Sequence, residues 1–257
     1  VLAGSGGIAI PGADRGFRAA DHGQLPRTSN CREVARGGLA RTLVEKVVLH
    51  KPETVSLFKI QFRMHEDIMR FPSRWFYHDE LEAAPEVKYR GVLDFDTPAS
   101  WIDTSELDLQ EKAVAEGTGR LNTGEAELLV RELKNYMERI GIRRILEEHI
   151  DFGVISPYRA QVHYLRHLLK KEPFFRPCRR LITVHTVDGF QGQERDVIMI
   201  SLVRANEKGQ IGFLRDLRRM NVAITRARMK LLILGEAVTL TRHPFYRELD
   251  EYIGGFR

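Results

Sequence analysis

Cysteine is nearly absent: Cys31 and Cys178 are the only two in 257 residues, and neither lies beside a second cysteine or at a metal-ligand spacing. That excludes a disulfide framework and a thiolate zinc site, and it makes a reducing interior, cytoplasm or nucleus, the expected compartment. No apolar run approaches the roughly 20 residues that a membrane-spanning helix needs. The first residues, VLAGSGGIAIPGADRG, have no initiator Met, no basic flank and too short an apolar stretch to read as a signal peptide. A chain that starts inside such a strand-like run is expected to be cut from something longer. There is no internal repeat and no low-complexity tract.

What is present is ordinary for a soluble globular chain: 43% hydrophobic and 29% charged residues. The length allows one large domain or two small ones with a substantial core. Forty basic against 35 acidic residues leave a net charge of +5, which permits a polyanionic partner without requiring one.

Residues 5–30, rich in Gly, Arg, Ser and Asn, show no period and read as irregular. SWIDT (100–104) reads as a strand and 105–121 as a polar surface excursion. Asn122 with Glu125 three positions on has the form of a helix N-cap with its capping-box acid. Ala126, Leu129, Val130, Leu133, Met137 and Ile140 then follow at helical spacing. FGVIS (152–156), LITV (181–184), VIMISLV (197–203) and LLILG (231–235) read as buried strands. Between them run helices marked by Val162, Leu165, Leu168 and Leu169, and by Leu217, Met220, Ile224 and Ala227; a last helix covers about 243–253. Apolar strands alternating with amphipathic helices define an α/β fold with a largely parallel sheet covered on both faces.

Four stretches carry candidate chemistry. In HTVDGFQGQERD (185–196), Asp188-Gly189 is a hairpin turn signal, whereas Gly192 weakens a return strand; Gly189, Gln191, Gly192, Gln193 and Glu194 equally suit a ligand loop. In LRRMNVAITRARMKLLILG (217–235), Arg219 and Arg226 share a helix face, either solvated or, for Arg226, directed at phosphate. In QFRMHEDIMRFPSRWFY (61–77), His65 reads as structural, and Phe62, Phe71, Trp75, Phe76 and Tyr77 as core. Arg63 is the unusual member, a cation in an apolar setting that needs an anionic partner. ISPYRAQ (155–161) puts Ser156, Pro157, Tyr158 and Arg159 at a strand end, where α/β sheets bind ligands; a plain helix N-terminus also accounts for Ser156 and Pro157.

Taken together these stretches resemble the C-terminal, second RecA-like domain of superfamily 1 helicases, in the 5′→3′ branch that includes the nonsense-mediated-decay RNA helicase. QFRMHE is similar to that family's motif IV, TVDGFQGQERDVIMISLVRAN to motif V and RRMNVAITRAR to motif VI. DHGQLPRT (21–28) is similar to an altered motif III. The resemblance spans about residues 21–240. It implies that Gln24 senses the γ-phosphate of ATP, that Arg63 and Arg226 act as arginine fingers, and that Glu194, Gln191 and Gly192 border the nucleotide. It places Ser156, Pro157, Tyr158 and Thr186 along a single strand of DNA or RNA.

In motif III, sixteen residues separate VLAG from Asp21, and Ala20 and Arg27 replace the family's Gly and second Pro. No G-x-x-x-x-G-K-S/T and no Walker-B acidic pair occurs, so the phosphate cradle and the Mg²⁺ ligands are expected on a first RecA-like domain that would be the main partner. The expected domains are therefore an irregular 1–30 and a P-loop-lacking RecA-like unit at 31–257, with no metal site of its own. Two rival expectations are a non-catalytic nucleic-acid-binding module with a degenerate helicase fold, and a protein-interaction domain.

Overall fold

The computed structural model describes His50, residues 56–114 and residues 119–256. Gln24, the altered motif III and the expected irregular segment 1–30 lie outside the described residues.

Five strands form one wholly parallel sheet: β1 Ala99–Asp103, β2 Phe152–Ser156, β3 Ile182–Thr186, β4 Arg195–Ser201 and β5 Ala227–Gly235. Their spatial order is β1-β5-β4-β2-β3. Around them lie α1 Glu66–Phe76, α2 Thr123–Ile140, α3 Ile142–Glu147, α4 Arg159–Lys171, α5 Leu217–Ile224, α6 Ala237–Leu240 and α7 Pro244–Gly254. Side chains alternate across the sheet with period two, as the pleat demands. Ile198, Ile200, Leu231 and Ile233 face one core with α1, α5 and α7. Val197, Met199, Leu232 and Leu234 face the other with α2, α3 and α4. Both faces are covered, which is why these strands read as unbroken apolar runs. Lys112–Ala113 pairs antiparallel with Arg120–Leu121 inside the polar excursion, and Ile60–Gln61 pairs with Glu82–Ala83 ahead of α1.

Strands β3 and β4 do not pair with each other, because β2 lies between them and pairs with both. The hairpin reading of Asp188-Gly189 is therefore excluded. Residues 187–194 instead form a crossover from the carboxyl end of β3 to the amino end of β4. Asp188–Phe190 turns as one 3-10 helix, and the Phe190 side chain is fully buried in the core. Gly189 is obligatory there, since a Cβ would stand 1.7 Å from His185 Nδ1. Gly192 adopts φ +80°, the left-handed region that glycine enters without strain.

Two local readings change. Helix α5 stops at Ile224, where the Thr225 N–H turns back to the Asn221 and Ala223 carbonyls. Ala227 therefore opens β5, and Arg226 occupies the tight turn between them instead of sharing a helix face with Arg219. Phe62, expected in the core, is 68% exposed, whereas Phe71, Phe76 and Tyr77 are buried as expected and Trp75 packs against them at the core's margin.

A side chain at Gly153, in the middle of β2, would put its Cβ 2.7 Å from Phe190 Cζ and 2.5 Å from Ile198 Cδ1. Gly153→Val is expected to destabilise the fold by about 1–3 kcal/mol, the usual cost of overpacking. Urea denaturation measures this; an unchanged midpoint would show that the crossover is not packed against β2.

Candidate functional site

The predicted residues separate onto opposite edges of the sheet. Arg63, Glu194 and Arg226 meet at the amino ends of β4 and β5. The segment before α1 is fixed locally: Gln61 Oε1 accepts the N–H groups of Arg63 (2.8 Å) and Met64 (2.7 Å), and Arg90 Nη2 donates to the Arg63 carbonyl at 2.9 Å. His65 does the structural work expected of it. Its Nδ1 caps α1 by accepting from Asp67 N at 3.1 Å, and its own N–H bonds to the Arg228 carbonyl at 2.8 Å.

Arg63 Nε donates to Glu194 Oε2, and Arg63 Nη1 reaches the Thr225 carbonyl at 3.2 Å. The other Glu194 oxygen accepts from Arg228 Nε at 3.0 Å, and Arg228 Nη1 continues to Asp196 at 3.1 Å. Burial pushes the Glu194 carboxyl up, but the hydrogen bonds and charges of Arg63 and Arg228 outweigh it and hold the carboxyl below its ordinary range. Arg228 was not singled out from the sequence. A register irregularity places one extra residue on β5 between Ala227 and Lys230, and its alternation is lost where Arg228 turns to Glu194.

Arg226 is different from its neighbours. It is buried, its Nε donates to the Val222 carbonyl (2.9 Å) and its Nη1 to the Gln193 carbonyl (3.1 Å). Among the described residues no carboxylate lies within ion-pair distance of it. Burial first, and then the charge of Arg63, lower its pKa from the ordinary arginine value. Arg219, by contrast, forms surface ion pairs with Asp188 (3.2 Å) and Asp216 (3.8 Å). Gln191 and Gly192 are exposed at the outer bend of the crossover.

Ser156, Pro157, Tyr158 and Thr186 gather at the other edge: Ser156 is registered opposite Thr186, and Pro157 and Tyr158 follow directly. Pro157 and Thr186 are partly exposed, whereas the side chains of Ser156 and Tyr158 are buried. Tyr158 Oη accepts from Arg204 Nη1 at 3.3 Å. Arg204 follows Val203, a β-branched residue at φ +71°, a strained conformation closed by an Arg204 N–H to Leu202 carbonyl bond of 2.8 Å.

The group that braces this turn is Glu125. Asn122 does cap α2, accepting from Glu125 N at 3.0 Å, but Glu125 does not complete a capping box. Its carboxyl instead accepts from Ser201 Oγ (2.5 Å) and Val203 N (2.9 Å), while Gln161 takes the Asn122 N–H at 2.9 Å. Fully buried, Glu125 has its pKa pushed up to about 7 by desolvation, against the opposing hydrogen bonds of Ser201 and of the Val203 and Leu202 backbone.

A wholly parallel sheet carrying a fixed arginine cluster on its amino edge and a braced polar turn on its carboxyl edge defines an α/β domain of the RecA-like kind. The AAA domain family matches residues 39–238. This chain belongs to that family, the C-terminal RecA-like domain of superfamily 1 helicases related to the nonsense-mediated-decay helicase and SMUBP-2. It is 34% identical over 245 residues to the DNA-binding protein SMUBP-2 of Mesocricetus auratus, covering 91% of this chain and 24% of that protein. It is 35% identical over 249 residues to an uncharacterized ATP-dependent helicase of Methanocaldococcus jannaschii, covering 91% and 34%. The DNA polymerase alpha-associated DNA helicase A of Saccharomyces cerevisiae is 36% identical over 246 residues, covering 87% and 34%. The chain thus spans about a quarter to a third of the length of these relatives.

The raised pKa of Glu125 has a definite sign. A carboxyl whose folded pKa lies above its unfolded value of roughly 4.3 stabilises the fold at low pH and loses that contribution as pH rises through about 7. Glu125→Gln is therefore expected to gain stability relative to the wild type between about pH 5 and pH 8, as read by denaturant midpoints at each pH. A difference independent of pH would contradict the raised value.

Proposed function

We propose that this chain is the second motor domain of an ATP-dependent helicase, and that its amino edge supplies Arg63 and Arg226 to a triphosphate held mainly by a first RecA-like domain of the full-length protein. The observation that carries this reading is Arg226. A guanidinium held by two backbone carbonyls, stripped of water and repelled by Arg63, is arranged for an anion that its own surroundings do not provide. Its rigidity matters chemically, because fixed donors need no reorganisation when charge develops on a phosphoryl group.

The donor set fits the outer side of a nucleotide: cations for phosphate oxygens, and the exposed Phe62 ring next to Arg63 as a surface for a base. It does not fit a complete site, since the 257 residues contain no Walker A sequence and, among the described residues, no cluster of acidic or histidine side chains that holds a metal. Mg²⁺ is accordingly assigned to ligands on the first domain. When bound, ATP supplies the γ-phosphoryl group whose hydrolysis drives the motor. This chain's residues do the rest of their part by position: Glu194 fixes Arg63 and Arg228, Gln191 and Gly192 shape the bend beside them, and Gln24 is assigned to the same phosphate from outside the described residues.

Pro157 and Thr186, backed by Ser156 and Tyr158, are assigned to a single strand of DNA or RNA on the carboxyl edge. Residues 187–194 join that edge to Glu194 directly, so strand contact and phosphate contact share one short segment.

In the full-length protein, Arg226→Ala is expected to lower nucleic-acid-stimulated ATP hydrolysis by about 10³-fold or more, the range known for arginine fingers. Steady-state phosphate release measures it, and Arg63→Ala is expected to act in the same direction. Purified 1–257 alone is expected to turn over no ATP. Wild-type turnover by the Arg226→Ala protein, or robust hydrolysis by 1–257, would overturn the assignment.

A further inference from the structure

The carboxyl edge holds one feature to which the site described above gives no role. Residues Gly212–Arg215 form a 3-10 turn clamped from several sides. Ile211 and Leu214 are buried, and Tyr246 Oη donates to the Leu214 carbonyl at 2.8 Å. Gly212 sits at φ +54° directly beneath the Tyr158–Arg204 pair, where a Cβ would stand 2.7 Å from Tyr158 Oη and 2.8 Å from Arg204 Nη1. The effect of all this anchoring is to present one side chain. Phe213 is 44% exposed, with part of its ring tilted onto the Tyr158 ring at 5.5 Å between centroids.

A lone exposed phenylalanine is ordinary on any protein surface. This one differs in its support and its surroundings. A left-handed glycine with no room for a Cβ, a buried hydroxyl bonded to a buried arginine, and a second aromatic ring all fix its position. The turn also lies beside the carboxyl end of β2, through Tyr158. Arg159, which follows Tyr158, and Arg215, two residues beyond Phe213, are exposed, and neither pairs with a carboxylate among the described residues. The acidic groups at this support are already engaged: Glu111 by Arg204 (2.7 Å) and Arg120 (3.4 Å), and Asp216, which caps the turn, by Arg218 (3.3 Å) and Arg219 (3.8 Å). A rigid aromatic face flanked by unpaired cations is the arrangement that holds a nucleobase while its phosphates meet the arginines.

We propose that Phe213 is a base-stacking residue for the single strand, seated on Tyr158 and Gly212 and flanked by Arg159 and Arg215. The proposal rests on the helicase reading above. It assigns the base contact to a turn between β4 and α5, with Pro157 and Thr186 left for sugar and backbone. Stacking is indifferent to base identity, so this contact holds a strand without selecting its sequence.

The test is fluorescence anisotropy with labelled oligo-dT and oligo-U at several salt concentrations, using the wild type, Phe213→Leu and Phe213→Trp. Phe213→Leu keeps an apolar side chain but no π-face. It is expected to weaken binding about tenfold at every salt concentration, with the wild-type salt slope retained because the phosphate contacts remain. Phe213→Trp is expected to bind at least as tightly as the wild type. If the wild type binds with a salt-dependent affinity and Phe213→Leu matches it, the stacking assignment falls while the helicase reading stands. If the wild type shows no salt-dependent binding to either oligonucleotide, both fall.

Discussion

A parallel strand can be re-entered only at its amino end, and the rest of this site depends on that constraint. Strands β3 and β4 flank β2, so the chain leaving Thr186 must travel back along the sheet before β4 begins. For strands of five residues that return covers about 16 Å. Residues 187–194 make it without an α-helix, through the one 3-10 turn Asp188–Phe190, anchored midway by the buried Phe190 and bent at Gly189 and Gly192. The segment therefore starts at the edge assigned to the single strand and ends with Gln193 and Glu194 against Arg226 and Arg63. Coupling between two ligands requires an element that both can bias, and here the geometry supplies one element with an end at each edge.

The electrostatics of the amino edge follow from the same arrangement. Glu194 stands between Arg63 and Arg228, and Asp196 and Asp151 extend the chain of charge behind Arg228. Arg226 lies inside this cluster, and its hydrogen-bond partners among the described residues are the Val222 and Gln193 carbonyls. Taking a guanidinium out of water beside a second cation is unfavourable for the isolated domain, and an arriving anion would relieve the desolvation and the repulsion together. The carboxyl edge has the opposite character. Its strained Val203 turn is held by a buried carboxyl whose pKa desolvation raises to about 7.

Much of the architecture was legible in the sequence because both faces of the sheet are buried, leaving each strand as an apolar run bounded by polar residues. FGVIS coincides with β2, and the Asn122 cap and the apolar stripe of α2 stand as read. The misread features share a cause: their partners are remote in sequence. Glu125 has the spacing of a capping-box acid, yet its partners are 76 and 78 residues away. Asp188-Gly189 has the form of a hairpin turn, and only the placement of β2 between β3 and β4 excludes it. Arg226 continued the helical period of α5, but the turn at Thr225 removes it from that face and brings it to Gln193. Phe62, read as core from its place in an aromatic-rich stretch, lies between Gln61 and Arg63 and is exposed. The roles of Gln24 and of the other motif residues rest on the family's pattern, because a single sequence shows residue types but not what meets them.

The central claim is that residues 187–194 transmit between the two edges by their fixed length and bends. In the full-length protein, inserting one glycine between Val187 and Asp188, neither of which is assigned to a ligand, lengthens and loosens the segment that joins the two edges. The account predicts that nucleic-acid binding and basal ATP hydrolysis persist, while the stimulation of hydrolysis by single strands is lost. Stimulation at the wild-type level in that insertion variant would contradict it.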